Sequence, residues 1–554
     1  MPDNKPLAEH RLHLLKRRLL TDPNLFDKYS EFIDNLLDNG YAEKIDPDEK
    51  SVVPNWYLPH HPVFNPQKPG KIRVVYDCSA RYHGISLNEC LLQGPNLTNT
   101  LVGVLSRFRQ QHIALLADIE AMFHQVHVPM EHRNALRFLW WPENDIKKEP
   151  STYRMKVHLF GAVSSPSCCN FALLQTANDT SNEELISCIQ KNFYVDDFLK
   201  STATEDEAKE ITRDLRELLS RQGFRLTKWI SNSQDVLNSI PESERAIIQD
   251  HKFEEAQVQR TLGIRWDVAT DSFGFDISIQ PRPATRRGIL SIVSSIFDPL
   301  GFVAPFTLPA KMILQDLCRL QYGWDVLIPG DFLKKWNAWL IDLPKLAKFN
   351  IQRCIIPQDF DEVVKYQLHH FSDASEVGFG SVTYVRSVSS TGKIYCAFMI
   401  GKSRLTPLKK ITIPRLELSA ATISVRLDKI LRQELEIPIQ RSFFWTDSTS
   451  VIKYINNETK RFHTFVANRI ARIRDGSDPS DWFYVDTKLN PSDQSSRGVT
   501  ASELIKNQSW ILGPGFLYLP ESEWPRQPDV QDSISSDDPE VKIEKKCNLV
   551  IGND

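Results

Sequence analysis

Residues 193–200 read FYVDDFLK, with two adjacent acids, Asp196 and Asp197, set between apolar β-forming residues. Runs of this kind suit a tight hairpin whose turn presents both carboxylates. Alone, a solvated turn explains them equally well. Upstream, residues 113–120 read IALLADIE, an apolar run from Ile113 to Ala117 that closes on Asp118. That pattern predicts a buried strand delivering a carboxylate from its end. Taken together, the two segments bring a third acid beside a pair. Hard divalent cations such as Mg²⁺ take oxygen ligands and commonly share them with substrate phosphates.

The rest of the chain sets bounds on this reading. With 554 residues, 41% hydrophobic and 25% charged, the composition is globular and the length implies about three to five domains. Lys plus Arg number 67 against 70 Asp plus Glu, a net charge of -3. A histone-like polycation is excluded, whereas a local basic groove is not, because surface fields depend on where charges sit. Nine cysteines without a Cys-x-x-Cys pair argue for a reducing, intracellular setting and against zinc ribbons. The most apolar stretch, Ile289 to Ala310, is broken by Asp298, Gly301 and three prolines, so it does not read as a membrane span. The first twenty residues lack the apolar core of a signal peptide. A soluble intracellular protein is expected.

A second set of acids follows. HHFSDASEVGFGSV (369–382) places Asp373 at a strand end before a glycine-bearing turn. IPRLELSAATISVRL (413–427) reads as a helix entered through Pro414 with Glu417 near its start. FFWTDSTSVIKYI (443–455) is an apolar strand ending on Asp447, and LNPSDQSSRG (489–498) places Asp493 at the opening of a short helix. Each acid alone is unremarkable.

These segments resemble a known family. Tyr194-Val195-Asp196-Asp197 matches the YxDD signature of reverse transcriptases, and the Asp118 segment their first palm motif. KPGKIRVVYDCSA (68–80) resembles the finger motif that meets incoming nucleotide. HLFGAVSSPSCCNFAL (158–173) resembles the FG-containing motif before a Pro-bearing helix, and GFRLTKWISN (223–232) the primer grip. The second acid set follows the ribonuclease H pattern. The wording of FRLTKWISN, TLGIRWD, SSIFDPLGFVAPF and IPRLELSAA is similar to the polymerase region of BEL/Pao-type long-terminal-repeat retrotransposons, over roughly residues 5 to 525.

The resemblance implies an α/β and α+β multidomain fold: a right-hand polymerase with fingers, palm and thumb, then a ribonuclease H-like domain. The expected organisation is a helical lead-in over 1–50, fingers and palm over 51–280, a helical thumb or connection over 281–360 and a ribonuclease H-like unit over 361–505. Residues 506–554 are expected as a linker towards an integrase and a disordered acidic tail. Each catalytic unit is expected to hold its own core. The implied activity is RNA-directed DNA polymerisation with ribonuclease H action on RNA–DNA hybrids, using two Mg²⁺ (or Mn²⁺) ions per site, about 3.5–4 Å apart. Asp118, Asp196 and Asp197 would hold metal at the first site, and Asp373, Glu417, Asp447 and Asp493 at the second. Lys71 and Arg73 would reach the triphosphate. Phe123 would exclude a ribose 2′-hydroxyl, Phe160 and Gly161 would line the nucleotide pocket, and Lys228 and Trp229 would meet the primer strand.

Implied partners are an RNA template, a DNA primer, the hybrid and deoxynucleotides, with capsid and integrase of the same element, in cytoplasmic virus-like particles and without a membrane. Three rivals stand beside this reading. One is a catalytically lapsed nucleic-acid-binding relic, and one a polyprotein fragment. A protease is disfavoured, because no Asp-Thr-Gly or Asp-Ser-Gly triplet occurs. Beyond His463 only Cys547 could serve a zinc module of the integrase type.

Overall fold

The computed structural model describes residues 1–46, 48, 49, 55–64, 72–246, 258–528, 534, 535 and 537–542. Two helices open it, Lys5–Thr21 and Pro23–Asp38. Asp22 caps the second by accepting from the Leu25 backbone N–H, with Pro23 pre-set for the first helical position. Their buried faces carry Ala8, Leu12, Leu15 and Leu19, then Leu25, Tyr29, Ile33 and Leu36, the three- and four-residue spacing of one helical stripe. Both stripes pack into the same core as the hairpin His60–Phe64/Ile72–Tyr76 and the small sheet built from Ala42–Lys44, Ser151–Met155 and Arg137–Trp140. The lead-in is therefore an integral wall of the fingers.

The palm is a four-stranded sheet in the order Phe193–Tyr194, Asp197–Thr202, Ile113–Ile119, Leu226–Ser231, every pairing antiparallel. Ile113–Ile119 is central, which is why it is apolar nearly throughout. The helices Ser165–Gln175, Glu183–Lys191 and Glu205–Arg221 share its core. Beyond it, Ile264–Asp267, Ser272–Gly274 and Asn350–Gln352 belong to a second small sheet. Three helices, Arg286–Ser295, Ala304–Arg319 and Gly330–Asp342, lie between Ser272–Gly274 and Asn350–Gln352 in sequence.

The last sheet has five strands in the order Ile394–Leu405, Gly378–Ser389, Val363–Ala374, Ile439–Thr446, Trp482–Tyr484. The first three are antiparallel and the last two parallel to their neighbours. The parallel join from Val363–Ala374 to Ile439–Thr446 needs a crossover, which the hairpin and the helix Ile413–Glu434 supply.

Three expectations change here. The catalytic units are not isolated from one another: the palm keeps a cluster around Leu115 and Phe198 and the nuclease one around Leu418 and Phe444, but a further apolar cluster runs from Leu116 and Leu199 in the palm, through Phe306 and Trp336 in the helices, to Phe371 and Trp445 in the nuclease sheet. The helices expected as a thumb join this cluster, with Ala304–Arg319 packed on the nuclease strand Ile394–Leu405. The stretch expected as a linker after 505 is packed too. The indole of Trp510 donates to the Phe302 carbonyl, and Tyr384 Oη donates to the Trp510 carbonyl. Large aromatics in a short segment have only one way to leave water, and the sheet face offers it. Part of the acidic tail is also seated, since Ile534 and Val541 are buried beside Phe462 and Tyr454. The remaining tail residues, 529–533, 536 and 543–554, lie outside the described residues.

Arg353 joins these units. Its guanidinium is fully buried and meets Asp271 through two bonds of 2.7 and 2.8 Å. Substituting Arg353 by Ala leaves Asp271 and three palm carbonyls without their donor. It should cost about 3–5 kcal/mol, the usual penalty for breaking a buried pair, read as a lowered midpoint in chemical denaturation. A midpoint within experimental error of wild type would remove Arg353 from this role.

Candidate active sites

The first site is assembled by sheet register. Asp118 lies directly opposite Asp197 across the central strand pair, and the Ile119 N–H donates to the Asp196 carbonyl at 2.8 Å. The turn between the paired strands forces Val195 to φ +58°, a region β-branched residues rarely enter. That strain is held by pairing on both sides of the turn, and it presents two carboxylates in succession. Burial, then the Asp118 charge, raises the pKa of Asp196, with Lys228 and Arg73 opposing. Asp197 is pushed to about 7 by burial first and by Asp196 and Asp118 next.

Lys228 relieves part of this repulsion. Its Nζ sits 3.0 Å from Asp118 Oδ1, delivered by a backbone at φ +54°. Trp229 is a correction to its expected role: it is 1% exposed and packs edge-on against Phe198 in the palm core, so no base can stack on it. Strand alternation explains the split, because Lys228 and Trp229 are neighbours and point to opposite faces.

Nucleotide-pocket candidates surround these acids. Arg73, on the fingers hairpin, stacks over the Phe160 ring at 5.4 Å, and Phe160 meets Phe123 edge to face at 4.5 Å. Phe123 is buried, whereas Phe160 is exposed. Gly161 has φ +114°, and a Cβ there would come within 2.4 Å of the Tyr76 carbonyl, so only glycine fits. Sequence reasoning missed Asn88, which fixes this loop by donating to the Gly161 carbonyl and accepting from the Val163 N–H. A lone Asn in a loop carries no signal of that duty. Lys71 lies outside the described residues.

At the second site Asp373, Glu417 and Asp447 bring ligand atoms within 4.8 Å of one another, the only such trio of His, Cys, Asp or Glu side chains among the described residues. Two of them leave adjacent parallel strands and the third leaves the first turns of the crossover helix. Burial raises all three pKa values, and repulsion by neighbouring acids adds to it: Asp373 to about 7 with Asp447 beside it, Glu417 to about 9 with Asp373 and Asp447 beside it, and Asp447 above its ordinary range with Asp493 beside it. Glu417 Oε2 is buried without a hydrogen-bond partner. Such an oxygen is costly unless something binds it, and a dense set of carboxylate oxygens is the donor set that Mg²⁺ or Mn²⁺ takes. The residues therefore fit a divalent ion.

Asp493 stands beside this trio, ion-paired with Arg497 one helical turn along. The loop carrying it also braces the acids. Ser496 donates to Asp373, Thr487 donates to Asp447 Oδ2 at 2.6 Å, and Asn490 donates to the Ser372 carbonyl. The flanking Ser and Asn of LNPSDQSSRG were visible in the sequence, but nothing there indicated their targets.

Fold and sites define a class: a right-hand polymerase joined to a ribonuclease H-like nuclease. Comparison with known proteins agrees. Residues 67–229 match the family model described as reverse transcriptase (RNA-dependent DNA polymerase). Residues 285–448 match the Pao retrotransposon-like RNaseH-like domain. Together the two matches support a reverse transcriptase–ribonuclease H region of the Pao retrotransposon type. No curated protein matches it. Among solved structures it is similar to the foamy viral protease-reverse transcriptase in a form designated dRH with double-stranded DNA, at 17% identity and TM-score 0.53, over 82% of this chain and 68% of that one. The same viral protein with an RNA/DNA hybrid matches at 16% identity and TM-score 0.51, over 82% of this chain and 52% of that one. The likeness therefore spans about half the length of that second structure.

The raised pKa of Glu417 sets a pH dependence. Its folded value lies above the unfolded one, so its contribution to stability is full below about pH 4.5 and is lost as pH rises through about 9. In metal-free protein, wild type should lose stability relative to Glu417→Gln across that window, by more than about 1 kcal/mol. Parallel denaturation midpoints of the two proteins from pH 5 to 9 would refute this coupling.

Proposed function

We propose that the chain copies an RNA template into DNA at the Asp118–Asp196–Asp197 site and cleaves the RNA strand of the resulting hybrid at Asp373, Glu417, Asp447 and Asp493. The observation that carries this reading is the pair of carboxylate clusters. Apart from Asp493, their acids lie within the two matched domains, and the second cluster holds a buried carboxylate oxygen with nothing to bind.

Mg²⁺ or Mn²⁺, two per site when bound, would supply Lewis acidity to a primer hydroxyl or water and neutralise charge at the leaving group. The chain's residues do the positioning. Asp118, Asp196 and Asp197 hold the cations, and Lys228 must leave Asp118 or turn to the incoming phosphates as they arrive. Arg73, and by sequence Lys71, meet the triphosphate. Phe160 and Gly161 bound the nucleotide pocket, and Phe123, fixed edge-on against Phe160, presents bulk where a 2′-hydroxyl would sit. Lys228 lies on the side of the primer; Trp229 supports its strand from within. Partners follow from this chemistry: RNA template, DNA primer, hybrid and deoxynucleotides, with capsid and integrase of the same element in cytoplasmic particles.

Primer extension and hybrid cleavage test the assignment. Asp196→Asn should lower extension at least about 100-fold and leave hybrid cleavage near wild type, while Asp447→Asn should do the reverse. If either substitution abolishes both activities in a folded protein, two independent sites are ruled out. Phe123→Val should raise ribonucleotide incorporation while deoxynucleotide use holds. An unchanged ribo-to-deoxy ratio would dismiss Phe123 as the gate.

A further inference from the structure

The seated part of the acidic tail is docked by charge on two helices of the nuclease unit. Glu540, itself nearly inaccessible, takes both its oxygens to Arg415, at 2.7 Å from Nε and 2.9 Å from Nη2. Asp538 accepts from the Tyr454 hydroxyl at 3.1 and 2.9 Å. The backbone follows: the His463 N–H donates to the Glu540 carbonyl, the Lys542 N–H to the Arg461 carbonyl, and Phe462 and Val541 form an antiparallel bridge. Ile534 and Val541 anchor the segment in the nuclease core.

The docking place is not an arbitrary surface. Arg415 lies two residues before Glu417 on the helix Ile413–Glu434, and Tyr454 is on the helix Thr449–Asn456 that starts just after Asp447. Both contacts are therefore offered by the elements that position the catalytic acids. Around them the surface is cationic. Arg415 and Arg469 stack on the same Phe465 ring, at 5.2 and 3.4 Å, Arg472 repels Arg469, and Lys460 and Arg461 lie in the adjoining loop. A phosphodiester offers a guanidinium the same pair of acceptor oxygens as a carboxylate.

We propose that Asp538 and Glu540 occupy a phosphate subsite formed by Arg415 and Tyr454, so that the tail competes with the RNA–DNA hybrid for the nuclease face. The proposal rests on the hybrid-cleaving function above. The tail charges face Arg415, Tyr454 and the cationic loop, whereas Ile534 and Val541 hold the segment near. Displacement therefore requires exchanging two carboxylates for phosphates while the apolar tether keeps the tail close.

The test uses the full-length chain and a labelled RNA–DNA hybrid in Ca²⁺, read by fluorescence anisotropy. Asp538→Ala with Glu540→Ala should bind hybrid about 3–10-fold tighter than wild type at low salt, and the gap should narrow as salt screens the tail's charges. Adding Arg415→Gln to that double variant should weaken binding and lower the salt slope by about one. In wild type, excess hybrid should speed tryptic cleavage after Lys542, a readout that needs no substitution. Equal or weaker affinity in the double variant, or trypsin sensitivity unmoved by bound hybrid, overturns the competition. If wild type cleaves hybrid while these measurements fail, only the tail assignment falls. If no form binds hybrid, the nuclease reading falls with it.

Discussion

Arg353 places one positive charge where water does not reach, and the arrangement of both catalytic units depends on it. A guanidinium carries five N–H donors, and here all five are used: two on Asp271, two on the Phe108 and Gln111 carbonyls, and one on the His112 carbonyl. Burial of a charge is tolerated only with that degree of satisfaction. The carbonyls belong to the turn that launches the strand Ile113–Ile119, whose far end carries Asp118. The Arg353 carbonyl in turn accepts from Arg109, which also donates to the Phe398 carbonyl on the nuclease sheet. Two arginines thus lock the palm strand to the nuclease sheet. The two carboxylate clusters are thereby held at a set separation, because neither unit can rotate without stranding buried donors.

Both sites are places where the fold opposes its own electrostatics. Carboxylates are gathered in partial burial, and the pKa values of Asp196, Asp197, Asp373, Glu417 and Asp447 rise in consequence. The two clusters handle the repulsion differently. In the palm, Lys228 pairs with Asp118 and acts as an internal counter-charge. In the nuclease, Arg497 pairs with Asp493 at the edge of the cluster and hydroxyls of Ser496 and Thr487 donate to Asp373 and Asp447, yet Glu417 keeps an oxygen without a partner. That contrast follows from location: the palm acids lie on a hairpin beside a strand free to offer a lysine, whereas the nuclease acids are closed in by the crossover helix and the loop 487–496.

The same balance of charge extends to the tail. Composition marks residues 527–546 as polar and acidic, the signature of a chain that does not bury enough apolar surface to order itself. Seating comes from the nuclease face, which supplies an apolar slot for Ile534 and Val541 and an arginine for Glu540. Order there is a property of the pair of surfaces, so composition of the segment alone could not reveal it. The aromatics after residue 505 show the same effect with larger side chains.

What the sequence determined by itself was local: the apolar run ending on Asp118, the YVDD hairpin, the acids on strand, helix and strand, and the ordered motifs that imply polymerase followed by nuclease. These are legible because period-two and helical patterns, and acids at the ends of apolar runs, are written in consecutive residues. Tertiary structure alone decided which distant groups meet. It turned Trp229 inward and Lys228 towards Asp118, set Asn88 on the Gly161 loop, left Asp493 beside the trio with Arg497, linked the palm and nuclease cores through a shared apolar cluster, and joined the units through Arg353. The reason is physical. A side chain's face is set by the register of strands that pair across a hundred residues or more, and a buried charge is permitted only where partners from several segments converge on it.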